Sequence, residues 1–199
     1  MNENSKLTVT QVLPEIRGKG DCMKAIIING GYSVKSRLTG VQQELEKLLI
    51  QHKVTFEKVI VHQLPAHDLI TANFASPTII ENIKKVEHAD IVILLTPVFK
   101  GAYSGIIKTF IDLLPQKGLE GKSVIPVAIG GSIAHLLTLE YALKPIVSIL
   151  GSTHVTNPVY VVDKQITIDD DENYVVETDV INRLENSVKQ ALVLESIKA

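Results

Sequence analysis

The chain has 199 residues, of which 45% are hydrophobic, enough for one compact domain with a full core rather than a disordered segment. A formal net charge of −2 without any long basic block speaks against nucleic acid and anionic membranes as partners. The single cysteine, Cys22, cannot close an internal disulfide, and the longest apolar runs fall far short of a membrane span, so the composition reads as cytoplasmic.

Residues 1–22 carry scattered charges (Glu3, Lys6, Glu15, Arg17, Lys19, Asp21) where the apolar centre of a signal peptide would sit. They show neither strand nor helix periodicity. They are expected to form a loose extension ahead of a single domain over 23–199.

From Lys24 onward strands and helices alternate. A strand is predicted over 25–29, then a helix over 36–52 with Leu38, Val41, Leu45, Leu48 and Leu49 at helical spacing. A second strand is predicted over 54–64, an irregular stretch between Pro65 and Pro77, and a helix over 78–88. The apolar run 90–96 reads as a buried parallel strand, followed by a helix over 104–114 that Pro115 stops. A fourth strand is expected over 123–129, although Pro126 removes one ladder donor from it. Gly130-Gly131-Ser132 then turns into a helix holding Leu136, Leu137, Tyr141, Leu143 and Ile146, which Pro145 should kink or end. A fifth strand over 158–162, a polar hairpin-like segment over 169–173 and a closing helix from about 179 complete the series. That last helix should face inward with Ile181, Leu184, Val188 and Leu192.

Five strands alternating with helices imply a parallel sheet covered on both faces, an α/β doubly wound domain. Right-handed crossovers leave Rossmann-like and flavodoxin-like orders, and five strands favour the flavodoxin-like one. In that order the loops after strands one, three and four converge on one crevice.

The first of these loops, Gly30-Gly31-Tyr32-Ser33-Val34-Lys35-Ser36-Arg37, has the parts of a phosphate site: glycines, hydroxyls, the N–H groups of a helix start and a charged arginine. An ordinary tight turn with Ser36 as helix N-cap accounts for it equally well. The G-x-G-x-x-G dinucleotide fingerprint is absent. The second loop, Thr96-Pro97-Val98-Phe99-Lys100-Gly101-Ala102-Tyr103-Ser104-Gly105, is glycine-bearing, carries rings and ends in a serine N-cap, a composition suited to a flat ring laid against backbone N–H groups. The third is Gly130-Gly131-Ser132.

Other chemistries find little support. Gly121-Lys122-Ser123 resembles the end of a Walker A loop, but Gln116 stands where its first glycine belongs and a strand follows. His135 lies near Ser132, yet no G-x-S-x-G elbow accompanies them. The histidines show no metal spacing, and Asp169-Asp170-Asp171-Glu172 lacks the EF-hand pattern and reads as a solvated turn, so no metal is expected.

Over roughly residues 23–162 the chain resembles the NADPH-dependent FMN reductases that serve two-component flavin monooxygenases, including those of alkanesulfonate assimilation. The resemblance rests on the second-loop segment above, on Leu113-Leu114-Pro115, on Gly130-Gly131-Ser132-Ile133-Ala134-His135-Leu136-Leu137 and on Tyr141-Ala142-Leu143-Lys144-Pro145. It implies a flavodoxin-like fold, FMN and NADPH as cofactors, and reduced flavin as product. Loop one (Gly31, Ser33, Ser36, Arg37, Thr39) would hold the FMN phosphate. Pro97, Val98, Phe99, Lys100 and Gly101, with Gly130, Gly131 and Ser132, would border the flavin ring. Tyr141 matches the tyrosine that these reductases carry as an insertion widening one turn into a π-helix near a subunit interface, which implies a role in flavin handover and a homo-oligomer, dimer or tetramer. The chain departs from the family's usual Gly-Ser-x-Arg, having Gly31 and Ser33 where serine and arginine usually stand. The alternatives are an FMN-retaining quinone or azo reductase and a flavodoxin-like electron carrier.

Overall fold

The computed structural model describes residues 22–198, so the expected N-terminal extension lies, apart from Cys22, outside the described residues. The elements in chain order are β1 (Lys24–Asn29), α1 (Arg37–Gln51), β2 (Thr55–Ile60), α2 (Ala66–Ile70), α3 (Pro77–Glu87), β3 (Ile91–Phe99), β4 (Ala102–Tyr103) and α4 (Gly105–Ile111). There follow β5 (Ser123–Gly130), α5 (Lys144–Ile149), β6 (His154–Val155), β7 (Val159–Val162), β8 (Ile166–Ile168), β9 (Tyr174–Val176) and α6 (Thr178–Lys198).

The main sheet runs β2-β1-β3-β5-β6, with β7 also pairing with β5 in parallel. Since β3 occupies the other edge of β5, β6 and β7 are two pieces of one interrupted strand, and the five-position flavodoxin-like order holds. The interruption has a cause. The Val124 carbonyl accepts from Thr156 N at 3.0 Å, so the backbone groups of Val124, and of Pro126 two residues on, point toward β6 and β7. Pro126 has no N–H to give there, and the ladder breaks between Val124 and Val127.

Period-two alternation in the strands divides the core into two layers. Ile26, Ile28, Val92, Leu94 and Val124 pack under Ile79 of α3, Ile107 and Phe110 of α4, and Val147 of α5. Ala25, Ile27, Ile91, Ile93 and Leu95 face Val41, Leu45 and Leu49 of α1 and Leu184 and Val188 of α6. Helices cover both faces, as both-sided burial of a parallel sheet requires.

Several elements differ from the sequence expectation. The second strand stops at Ile60, and Val61–Gln63 turn as a 3₁₀ helix, although Val61 stays buried and so continues the apolar alternation. The irregular stretch after Pro65 contains α2. The third strand extends to Phe99 and folds back through β4, so Val98 pairs with Tyr103 and Phe99 with Ala102. Helix α4 ends at Ile111, ahead of Pro115. Pro145 stands in the first turn of α5, directly after the π-helix Leu139–Leu143 ends, so the helical run changes its winding at the proline instead of stopping there. The inward stripe of α6 centres on Val180, Leu184, Val188 and Ala191, with Ile181 and Leu192 only half-buried at its margins.

Ser104 ties the start of α4 to the segment that follows β1. Its Oγ accepts from Ile107 N at 3.2 Å as the N-cap of α4 and donates to the Gly30 carbonyl at 2.6 Å. Both bonds are buried. Ser104→Ala is expected to cost about 1–3 kcal/mol in chemical denaturation, from the lost cap and an unsatisfied carbonyl. A loss below about 0.5 kcal/mol would show that neither bond matters.

Candidate functional site

The segments after β1, β3 and β5 leave adjacent strands. The chain winds from β1 to β2 on one side and continues with β3 on the other, a topological switch point where open α/β sheets form a crevice. A cleft of about 290 Å³ lies there, lined by Gly31, Tyr32, Lys35, Ser36, Arg37 and Leu38 from the first segment, Pro97, Val98 and Phe99 from the second, and Ile129, Gly130 and Gly131 from the third. Asp163 and Ile168, from beyond β7, complete the wall.

One end of the cleft carries the cations Lys35 and Arg37 beside the start of α1. Ser36 sits at the N-cap position of α1 with extended backbone, yet its side chain does not cap the helix. The hydroxyl donates instead to the Ser33 carbonyl at 3.3 Å. The first turn holds no acidic residue, and Lys35 and Arg37 stand on either side of Ser36. The positive end of the helix dipole is thus open and doubly flanked by cations. Arg37 Nε donates to the Ile166 carbonyl of β8 at 3.0 Å, which steadies the guanidinium while its two NH₂ groups can meet an anion.

The cleft also carries two aromatic rings. Tyr32 and Phe99, both exposed, stand with ring centroids 6.0 Å apart and planes inclined at 42°. Behind them the hairpin β3–β4 is braced: Thr96 Oγ1 accepts from Ser104 N at 3.0 Å and donates to the Pro97 carbonyl at 2.9 Å. Thr138 Oγ1 donates to the Gly101 carbonyl at 2.9 Å. Tyr160, buried beneath the third segment, donates its hydroxyl to the Ser132 carbonyl at 2.8 Å. Burial, and then the nearby Asp163 charge, push its pKa up, so it stays a protonated donor.

Of the residues singled out by sequence, Gly31, Ser36, Arg37, Pro97, Val98, Phe99, Gly130 and Gly131 meet in this cleft. Ser33 is not among its lining; its hydroxyl accepts from Lys35 N at 3.0 Å and shapes the turn. Thr39 points to a separate groove with Gln42, Glu46 and Lys58, and its hydroxyl donates to the Val34 carbonyl at 2.7 Å. Lys100 and Gly101, with φ of 52° and 80°, make the reversal between β3 and β4 rather than the cleft wall. The reason is the strand extension: pairing through Phe99 carries these two residues past the crevice. Ser132 lines an adjoining cleft with Tyr160 and Arg183, and its hydroxyl accepts from Ala134 N at 3.2 Å. Tyr141 lies outside this cleft's lining, 78% exposed, within the π-helix Leu139–Leu143. Among the described residues no group of three or more His, Cys, Asp or Glu could hold a metal.

The glycines also divide differently from the sequence reading. A Cβ on Gly30 would overlap Ile107, and one on Gly130 would overlap the Tyr160 hydroxyl, so protein packing requires both. At Gly31 an added Cβ would lie 2.8 Å from both Asn29 Oδ1 and Leu38 Cδ2. Gly131 is the open one, with nothing nearer to such a Cβ than Asp163 Oδ2 at 3.8 Å.

Residues 23–167 match the model of the family described as NADPH-dependent FMN reductase. The chain belongs to that family. Among FMN reductase relatives, an FMN reductase (NADPH) of Pseudomonas putida is 40% identical over 148 residues, covering 72% of this chain and 73% of its own. An FMN reductase (NADPH) of Escherichia coli K12 is 36% identical over 144 residues, 72% of this chain and 75% of that one. Among solved structures, the apo form of an NADH:FMN oxidoreductase (EMOB) aligns with a TM-score of 0.76 at 30% identity, over 87% of this chain and 91% of its own.

Within this FMN reductase family member, sequence reasoning put Tyr32 and Lys35 in the crevice loop without a role and missed Leu38, Ile129, Asp163 and Ile168 as cleft residues. A role for Lys35 was within reach, as a cation one residue before the helix N-cap. Asp163 and Ile168 carry no local signal, and Ile168 lies just past the family match.

Proposed function

We propose that the protein is an NAD(P)H:FMN oxidoreductase that binds FMN in the cleft at the β1–β3 switch point. The observation that carries this reading is the uncapped, carboxylate-free start of α1, flanked by Lys35 and Arg37, in a chain of the FMN reductase family. The residues fit the group. Lys35, Ser36, Arg37 and the first N–H groups of α1 would hold the phosphate. The open Gly131, with no Cβ in the way, and the Pro97-Val98-Phe99 edge would border the ring.

Bound FMN supplies the redox chemistry, accepting a hydride from a reduced nicotinamide and holding two electrons for transfer. The chain's own task is then alignment. Arg37 and Lys35 anchor the anionic end, the braced β3–β4 hairpin fixes the apolar wall, and Val98 and Phe99 limit water at the ring. Alignment of this kind supplies much of the rate in a direct transfer. The NADPH-dependence of the relatives' names supports NADPH as reductant.

The reduced flavin would pass to a flavin-dependent monooxygenase, and the protein would work as a homo-oligomer, dimer or homotetramer. Supporting this are the exposed Leu137, Tyr141 and Ile149 clustered on the π-helix and its flanks. No described helix is long and apolar enough to cross a membrane. The deciding experiment is steady-state NADPH oxidation with added FMN, set against the flavin content of the purified protein. Turnover that requires added FMN supports this reading. Stoichiometric retained flavin with quinone or azo turnover indicates an FMN-retaining reductase, and absence of NADPH oxidation indicates an electron carrier.

Tyr141 would tune the release of flavin. A π turn often marks a functional position, and this one hangs from the Gly101 turn through Thr138. Because Tyr141 is 78% exposed, Tyr141→Ala should fold normally. The variant is expected to purify yellow and to hand over reduced flavin poorly. A colourless variant that turns over free FMN at the parental rate would remove Tyr141 from the mechanism.

A further inference from the structure

A buried polar chain runs from the cleft into α1. Gly31 N donates to Asn29 Oδ1 at 2.7 Å, and Asn29 Nδ2 donates to Gln42 Oε1 at 2.6 Å. Gln42 Nε2 then donates to Glu46 Oε1 at 2.7 Å, where Lys58 Nζ also donates at 3.0 Å. Asn29 and Gln42 are 5% and 7% exposed, so water offers them little alternative. Buried amides without partners are costly, and this chain leaves no amide group of the pair unmatched along its path.

The two ends of the chain have fixed polarity. A backbone N–H can only donate, and an ionised carboxylate can only accept. Between them the amides have one consistent orientation. Glu46 requires the NH₂ of Gln42, which turns the Gln42 oxygen to Asn29. Asn29 must then present its own NH₂ to Gln42 and its oxygen to Gly31. Flipping either amide sets donor against donor at Gly31 or acceptor against acceptor at Glu46. The next peptide is held as well, because the Gly31 carbonyl lies 2.9 Å from His62 Nδ1, which in this pair must be the donor. The same Asn29 oxygen stands 2.8 Å from where a Cβ on residue 31 would be. With Leu38 Cδ2 at the same distance, it leaves no room for a side chain at residue 31.

We propose that Gln42 is a positioning residue for cofactor binding: with Glu46 it orients the Asn29 amide, which holds the Gly31 peptide in the conformation that forms the cleft. Gln42 has no contact with the cleft itself and acts through Asn29. The inference rests on the reading of the cleft as an FMN site, and its test separates the two.

The variants are Gln42→Met, which keeps length but removes both hydrogen-bonding groups, and Glu46→Leu, which removes the terminal acceptor at a half-buried position. Amide exchange at Gly31 is followed by NMR in the flavin-free protein, and FMN affinity by fluorescence titration. Gln42→Met is expected to speed Gly31 exchange at least tenfold and to weaken FMN binding five- to tenfold. The KM for NADPH and kcat at saturating FMN should stay within twofold of the parent, a split that general loosening of the fold would not produce. Glu46→Leu should move the same two readouts in the same direction, by two- to threefold, and decides the matter if Gln42→Met does not fold. Parental Gly31 exchange and FMN affinity in a folded variant would overturn the proposal. Failure of the parent protein to bind FMN would overturn the cofactor reading instead, while the exchange data would still report on the relay.

Discussion

Gly30→Ala is expected to destabilise the protein by about 2–4 kcal/mol, through overpacking and a lost buried hydrogen bond. The added Cβ would overlap Ile107 Cβ and sit 3.1 Å from Ile107 Cα, which belongs to the backbone of α4. Ile107 is fully buried and cannot swing aside, so relief requires α4 to move away from the sheet. That movement would stretch the 2.6 Å bond from Ser104 Oγ to the Gly30 carbonyl. For a chain of this length the loss corresponds to a fall of roughly 5–15 °C in thermal midpoint. Gly131→Ala is the paired control, since its Cβ meets nothing nearer than 3.8 Å. It should leave the midpoint within about 2 °C, in keeping with a substitution away from core packing, and weaken FMN binding instead. Equal midpoints for the two variants would show that the packing account of Gly30 is wrong.

These glycines also show where sequence reasoning reached its limit. Four glycines at strand ends are legible as a crevice, but their individual roles depend on Ile107 and Tyr160, residues brought across from elsewhere in the chain. What was legible was local. The cap at Ser104 follows from a serine ahead of an apolar helical run, and the parallel order follows from strand and helix alternation. The 3₁₀ turn at Val61–Gln63 was hidden because Val61 keeps the apolar rhythm of the strand before it. The extension of β3 to Phe99 was hidden for the opposite reason, because Pro97 argues against a strand until its place is known. Lys100 and Gly101 left the predicted site for that one reason. The π-helix at Tyr141 came only from family resemblance, since no periodicity distinguishes one widened turn. Asp163 and Ile168 reach the cleft through tertiary folding alone.

Arg37→Ala is expected to weaken FMN binding by about 1–3 kcal/mol, or roughly 5- to 150-fold in Kd, as follows from losing charge-assisted hydrogen bonds to a phosphate. Arg37 begins α1, lines the cationic end of the cleft and has no acidic neighbour in its turn to absorb its charge. Lys35 and the helix N–H groups remain in the variant, which keeps the loss short of complete. A second effect must be separated from this one, because Arg37 Nε also ties α1 to β8 through the Ile166 carbonyl. Riboflavin, which has the same ring and no phosphate, makes the separation. If Arg37 acts on the phosphate, Arg37→Ala lowers affinity for FMN and leaves riboflavin unchanged. Equal losses for both ligands would mean that the β8–β9 hairpin had shifted and the ring site with it. Arg37→Lys keeps the charge without the planar fork or the Nε donor, so it should recover only part of the affinity. Raising the salt concentration should weaken parental binding more than that of Arg37→Ala, since screening acts on the charge that the variant lacks. Unchanged FMN affinity in Arg37→Ala would place the phosphate away from the start of α1.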